Sequence, residues 1–336
     1  MFIENREIEV VNKIKYLGVT LSNKGKYTHT LKDNIDKARR AFFLQIKQVK
    51  QNHIPLSCHI DLFVKTIDPI LLYGAEIWGF EKHGVLEKFR LKCLKSIIRA
   101  KGSTPDYMIY GELGILPLEC QIKTRMISYW AKLVDGKKSK LSAQLFRLSK
   151  TNKQPETVFK WNSFIEKVLN ETGFNFLWHT QNQDNITSRL PDIITRIKDQ
   201  YLQSVRSETT SMKKKLYMNI IEEWKIADFF DQLENNDCFT LLKFRTDNHC
   251  LPVETGRYTN VEYKDRICPK CNIEVGDKYH YLFSCHFFAN ERKKYIPVKY
   301  TKNPNMLKYK SLLKSDNTKT LRNLCKMIRI IVKNFN

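Results

Sequence analysis

Four residues constrain this chain more than any others: Cys268-Pro-Lys-Cys271, then eight residues to His280 and four more to Cys285. Zinc takes four nitrogen or sulfur donors at tetrahedral corners, and a Cys-x-x-Cys turn presents two thiolates from one tight bend. The later His and Cys are expected to close the shell around one zinc ion. Asn272 to Asp277 is expected to make a hairpin turn, with Tyr281, Leu282, Phe283 and Phe287 covering the metal. Four protein ligands leave no open position, so the predicted ion is structural and not hydrolytic. Metal binding at such a site is folding free energy for its module, on the order of 10–16 kcal/mol.

Two alternatives stand beside this expectation. The Cys-x-x-Cys could be a redox pair, although no βαβ pattern surrounds it. His286 or Cys250 could also replace Cys285 as the fourth ligand. Cys58, Cys93, Cys120, Cys238 and Cys325 are scattered singly and read as buried apolar residues.

The charge is lopsided. Fifty-eight Lys and Arg against 35 Asp and Glu give a formal net charge of +23 in 336 residues, which favours nucleic acid or an anionic surface as partner. The start, MFIENREIEV, has charges where a secretory signal would be apolar. The most apolar stretch, Leu62 to Phe80, is interrupted by Lys65, Asp68 and Glu76, whereas a membrane span needs about 20 mostly apolar residues. The expectation is an intracellular protein, nuclear or cytoplasmic, with reduced thiols and no transmembrane segment.

Periodicity predicts a mainly α chain. Glu7 to Val11 and Ile14 to Leu21 read as two strands, the second closed by Ser22-Asn23-Lys24-Gly25. Leu31, Ile35, Ala38, Phe42, Ile46 and Val49 then recur at helical spacing. Further helices are predicted over 57–80, ending near Tyr73-Gly74 or running on to Trp78-Gly79, over 84–100 and over Leu118 to Val134. Gly111 to Pro117 reads as a turn-rich connector, Lys150 to Glu156 as a linker, Gln181 to Ser188 as a loop and Lys213-Lys214-Lys215 as a basic spot. The expected division is 1–25 hairpin, 26–135 helical domain, 136–240 helical connector, and 241–336 metal module with basic tail.

Two helices segregate their charge. Lys88, Lys92, Lys95 and Arg99 fall within about 60° of one another at about 100° per residue. From Lys293 to the end there are 12 Lys or Arg and one acid, Asp316. In the last predicted helix Lys319, Arg322, Lys326, Arg329 and Lys333 lie on one side, with Leu321, Leu324, Ile328 and Ile331 on the other. Tyr295, Tyr300 and Tyr309, interleaved with lysines, suit base stacking beside phosphate contacts. A basic amphipathic helix could also lie on a membrane; the adjacent metal module favours nucleic acid, and no membrane partner is expected.

Several segments together resemble the C-terminal part of the reverse transcriptase polyprotein of non-LTR (LINE-type) retrotransposons. Ile14-Lys-Tyr-Leu-Gly-Val19 resembles the primer-grip hairpin of those enzymes. Pro69 to Gly79 and Glu112 to Leu118 resemble the helical thumb and the segment after it. Leu242-Lys-Phe-Arg245, Asn248-His249, Glu254-Thr-Gly-Arg257-Tyr258 and Arg266-Ile-Cys268 lead into a knuckle like theirs, and Arg292 fits the same pattern. The resemblance, over 8–135 and 240–292, implies a thumb-like domain and a CCHC zinc knuckle, with Arg257, Arg266 and Arg292 as further nucleic-acid contacts. It does not imply polymerase chemistry. Such catalysis needs metal-binding carboxylates, two of them adjacent, and this chain contains no Asp-Asp pair. The chain is read as starting where the catalytic palm would have ended. The expected function is therefore a catalytically inactive, zinc-containing protein that binds RNA or DNA mostly through the backbone. An assembly module docking on a separate polymerase, or a truncated relic, are the alternatives.

Overall fold

The computed structural model describes residues 2–3, 6–7, 10–136, 140–151, 159–207, 216–221 and 223–335. Two antiparallel pairs open the chain: β1 (Phe2–Ile3) with β2 (Arg6–Glu7), and β3 (Lys13–Tyr16) with β4 (Val19–Ser22). Helices α1 (Thr28–Gln51), α2 (Leu56–Leu71), α3 (Ala75–Trp78), α4 (Gly84–Ile97), α5 (Asp106–Leu113) and α6 (Leu118–Asp135) follow. Then come α7 (Leu141–Thr151), α8 (Lys160–Thr172), α9 (Asn175–Thr180) and α10 (Gln183–Ser207). The last third carries α11 (Phe229–Gln232), α12 (Asn235–Arg245), α13 (Pro252–Thr255), α14 (Ala289–Tyr295), α15 (Val298–Thr301), α16 (Met306–Leu313) and α17 (Thr318–Lys333). The fold is mainly α behind a short hairpin. Among the described residues no helix is long and apolar enough to cross a membrane.

These elements form two compact units, and neither is continuous in sequence. One comprises Met1–Gln48, Leu62–Arg90 and Leu116–Ser207; the other comprises Val49–Asp61, Leu91–Ile115 and Glu208–Asn336. The chain thus associates differently from the linear division at 25, 135 and 240. The reason lies in buried links between distant residues of the second unit. Leu113 bridges Ile226, the Tyr217 hydroxyl donates to the Met108 carbonyl at 2.9 Å, and Arg245 pairs with Glu112.

In the first unit the hairpin lies within 13–22, with Tyr16 opposite Val19, so the expected strand Ile14 to Leu21 is folded in half. Leu17 and Gly18 both take positive φ, 44° and 81°, as in the two-residue turns that match strand twist. The Tyr73 hydroxyl donates to the Leu17 carbonyl at 2.7 Å. Asn34, buried, donates its amide to the Leu71 and Tyr73 carbonyls at 3.3 and 3.0 Å, satisfying acceptors left free where the predicted 57–80 helix breaks. Phe63, Trp78 and Trp130 are fully buried, and α6 packs against α3 and α10. Arg90 is buried too, its Nε and Nη2 donating to the two Asp68 oxygens at 2.9 and 2.6 Å. Where a loop was expected at 181–188, α10 already begins, because the Asn182 side chain accepts from the Asn185 amide at 3.0 Å and caps it.

In the second unit α5 runs through Gly111 and Glu112, leaving only the residues after Leu113 as connector. Helix α17 is capped by Asn317, whose side chain accepts from the Thr320 amide at 2.9 Å. It packs against α12 and α14 and buries Leu321, Leu324, Ile328 and Ile331. Lys213 to Lys215 and most of the 150–156 run lie outside the described residues.

Candidate metal centre

The metal module is a hairpin turn followed by a widened helical turn. Ile267 bridges Val275 antiparallel, the Cys268 amide donates to the Glu274 carbonyl at 2.8 Å, and the Gly276 amide to that of Arg266 at 2.8 Å. Asn272, at φ 56°, reverses the chain just after Cys271. Gly276 has no room for a side chain. A Cβ there would stand 2.4 Å from the Tyr281 hydroxyl oxygen and 3.3 Å from the Cys268 Cα, and Tyr281 is fully buried. Residues His280–Ser284 then form a π-helical turn in which the Cys285 amide donates to the His280 carbonyl at 2.8 Å. The extra residue in that turn swings Cys285 back towards Cys268.

As a result the donor atoms of Cys268, Cys271, His280 and Cys285 all lie within 4.8 Å of one another. Cys268 and Cys285 Sγ are 3.9 Å apart, and Cys271 Sγ is 3.3 Å from His280 Nε2. The other ring nitrogen, Nδ1, sits 2.9 Å from Glu274 Oε2. That contact places the proton on Nδ1 and leaves the Nε2 lone pair facing the sulfurs. The His280 amide donates to Asp277 Oδ1 at 2.8 Å, fixing the start of the π turn. Three sulfurs and one imidazole in a buried cluster could hold a metal ion. The thiols differ in their acidity. Burial raises the pKa of Cys268, but the Tyr281 hydroxyl and the amides of Lys270 and Cys271 bring it down to about 7. Burial pushes the Cys285 thiol up to about 12.

Neither alternative fourth ligand joins the cluster. Cys250 Sγ faces the Val332 carbonyl at 3.7 Å, and His286 is exposed. Of the four side chains expected to cover the metal, Tyr281, Leu282 and Phe283 are buried, whereas Phe287 is 48% exposed. Glu274, Asp277 and Gly276 are the parts the sequence pattern missed, since no spacing rule marks a ligand's hydrogen-bond partner. Lys278 was missed as well. Buried between two ligands in sequence, its Nζ contacts Asp247 Oδ1 at 2.5 Å and the Arg245 carbonyl at 3.1 Å, which fastens the module to the end of α12.

The expected nucleic-acid contacts divide sharply. Arg266 spends its guanidinium on the Val253 carbonyl at 2.6 Å and the Val261 carbonyl at 3.0 and 2.8 Å. Arg292 donates to the carbonyls of Leu282 at 2.8 Å and Cys285 at 2.6 Å. Arg257 pairs with Glu254 at 2.9 Å. All three brace the fold around the metal module. The α4 stripe is also broken, because the helix stops at Ile97. Lys88 and Lys92 remain exposed, but Lys95 is bound to Asp106 at 2.9 Å and to the Gly102 carbonyl at 3.0 Å. Arg99 turns away beyond the helix, 4.2 Å from the Phe239 ring. By contrast Lys319, Arg322, Lys326, Arg329 and Lys333 are all exposed on α17. Arg322 lies 4.0 Å from Glu234, and Arg329 pairs with Asp237. Tyr300 and Tyr309 are buried, so they are core residues and not stacking platforms.

Comparison with known proteins finds a similarity over a short part of the chain. Over 96 residues the chain is 29% identical to an RNA-directed DNA polymerase from the mobile element jockey of Drosophila melanogaster. The match covers 28% of this chain but only 10% of that protein. The similarity supports a related origin. No family model matches the chain, and no solved structure matches it.

Proposed function

We propose that this chain is a zinc-containing, nucleic-acid-binding module derived from a mobile-element reverse transcriptase, with the metal structural and the binding carried by basic surface. Zinc is favoured by the donor set. Tetrahedral zinc with bonds of about 2.3 Å to sulfur and 2.0 Å to nitrogen needs S···S near 3.8 Å and S···N near 3.5 Å. The 3.9 and 3.3 Å separations agree with both. Cys268, Cys271, His280 and Cys285 fill all four positions, so the ion orders the knuckle and takes no substrate.

One observation carries the binding half: five cations stand exposed along one face of α17, whose other face is core. From Lys319 to Lys333 they span about 21 Å at 1.5 Å per residue, a length that follows a run of phosphates. The chain has no adjacent Asp pair, so we assign it no polymerase chemistry. RNA or DNA is the expected partner inside the cell. The assembly alternative draws support from Leu141, Leu145 and Leu148, which α7 leaves more than half exposed.

Fluorescence anisotropy of the zinc-loaded chain with labelled DNA duplex across a salt series tests the proposal. Three to five phosphate contacts give a slope of log affinity against log salt of about −2.7 to −4.5. The triple variant Lys319→Ala, Lys326→Ala, Lys333→Ala is expected to flatten the slope by nearly 3. An affinity indifferent to salt, or unchanged in the triple variant, overturns it.

A further inference from the structure

Arg99 is in an unusual position. It lies just past the end of α4 at φ 54°, the left-handed site at a helix terminus that glycine ordinarily takes. An arginine there is strained, and strain of this kind clusters at functional sites. The strained backbone puts the guanidinium 4.2 Å from the Phe239 ring centroid. Phe239 is 9% exposed, so the ring belongs to the core while Arg99 itself is exposed. The guanidinium carbon lies against the ring and the residue as a whole is exposed, which leaves it room for a second planar group. No ion pair joins Arg99 to a described carboxylate, although Asp237 and Glu234 are close at hand.

Those residues line one groove of about 590 Å³ in the second unit, with Arg99, Phe239, Lys243 and Arg329 supplying its cationic and aromatic parts. The size falls within the range of clefts that take small ligands, about 300–1,000 Å³. Its charge is mixed. Asp237 is already held by Arg329, and Glu234 stands open to solvent. Such a groove suits a base and one or two phosphates better than the dense phosphate rows of a duplex. Exposed guanidinium planes are surfaces on which unpaired bases stack.

We infer that this groove is a single-strand subsite: an unpaired nucleobase stacks on the outer face of the Arg99 guanidinium, itself backed by Phe239, while Lys243 and Arg329 hold the flanking phosphates. The inference rests on the nucleic-acid-binding reading above and adds a preference for unpaired strand that α17 alone does not supply.

The test compares single-stranded RNA, single-stranded DNA and duplex DNA of equal length by anisotropy with the full zinc-loaded chain. The variants are Arg99→Gly and Arg99→Lys. Glycine relieves the backbone strain, so lost binding in that variant is not lost folding. Lysine keeps the charge and removes the plane. Stacking of one base is worth about 1–3 kcal/mol, so both variants are expected to bind single strand roughly 5- to 150-fold more weakly. Their affinity for duplex should change less than twofold. Wild-type single-strand affinity in Arg99→Lys, or equal losses for strand and duplex, overturns the subsite. A wild-type chain that binds duplex only overturns it too while leaving the module reading intact. A chain that binds neither defeats both.

Discussion

The pair between Glu112 and Arg245 gives the sharpest stability prediction. Both Glu112 oxygens lie 2.9–3.0 Å from Arg245 Nε, with side-chain exposures of 0% and 3%. The guanidinium also donates to the Leu313 carbonyl at 3.1 Å and lies 5.3 Å from the Phe229 ring centroid. Glu112→Ala removes the carboxylate and strands a buried cation, at about 3–5 kcal/mol. With a urea dependence of about 2 kcal/mol per M, the unfolding midpoint of the second unit should fall by roughly 2 M. Cys238 and Cys325, both fully buried there, report it: alkylation of each in a urea series, read by mass spectrometry, tracks local opening. The double replacement Glu112→Leu, Arg245→Met removes both charges with similar volume and should recover most of the loss. A single variant within about 0.5 M of wild type refutes the argument, and so does a double variant as unstable as the single.

The same unit carries three further predictions. Glu274→Ala frees the His280 Nδ1 proton from its acceptor and should weaken metal binding about 10- to 100-fold, measured by chelator competition. Gly276→Ala drives a methyl into the buried Tyr281 hydroxyl and should cost about 1–3 kcal/mol, seen as a lower urea midpoint with zinc saturating. His249 supplies a pH dependence. Burial first, and Lys278 nearby, hold its imidazole below the usual value against the pull of Asp247. The unfolded chain therefore binds the proton more readily. Stability should be full above the unfolded value of about 6.5 and decline as pH falls below it towards the depressed folded value. His249→Gln should reduce that slope between pH 6.5 and 5, and an unchanged slope counts against the assignment.

The metal cluster was legible because its information is local. A Cys-x-x-Cys turn and two later donors within 18 residues need only one short loop to meet. The amphipathic face of α17 was legible for the same reason, since helical spacing alone places its five cations together. What could not be read was anything made by residues far apart in sequence. Tyr73 closing on the Leu17 turn spans 56 positions, and Glu112 meeting Arg245 spans 133. Both pairs come from segments that looked distinctive individually, yet nothing in either segment names its partner. The α4 stripe failed differently. Its spacing is sound for a helix that continues to 99, but the chain leaves helical geometry after Ile97, and two of four side chains are redirected by neighbours the pattern cannot include.

That failure bears on which basic residues bind and which brace. Arginine's rigid planar fork holds two carbonyls in a fixed geometry, whereas a lysine's rotatable donors all leave from one nitrogen. Arg292 uses it so, joining the Leu282 and Cys285 carbonyls across the π turn that delivers two of the candidate ligands. Two of its three nitrogens are thereby committed, whereas Lys326 on α17 has no donor committed to a described residue. Arg292→Ala should therefore speed metal release about tenfold or more, with Arg292→Lys recovering little. With zinc saturating, neither change should move nucleic-acid affinity beyond twofold. Lys326→Ala should behave in the opposite way, leaving metal release alone and reducing the salt slope by about 0.9. Stopped-flow release to a chromogenic chelator and anisotropy across a salt series separate the two. If Arg292→Ala lowers the salt slope like Lys326→Ala while its metal stays in place, Arg292 touches phosphate and the bracing role assigned to it is wrong.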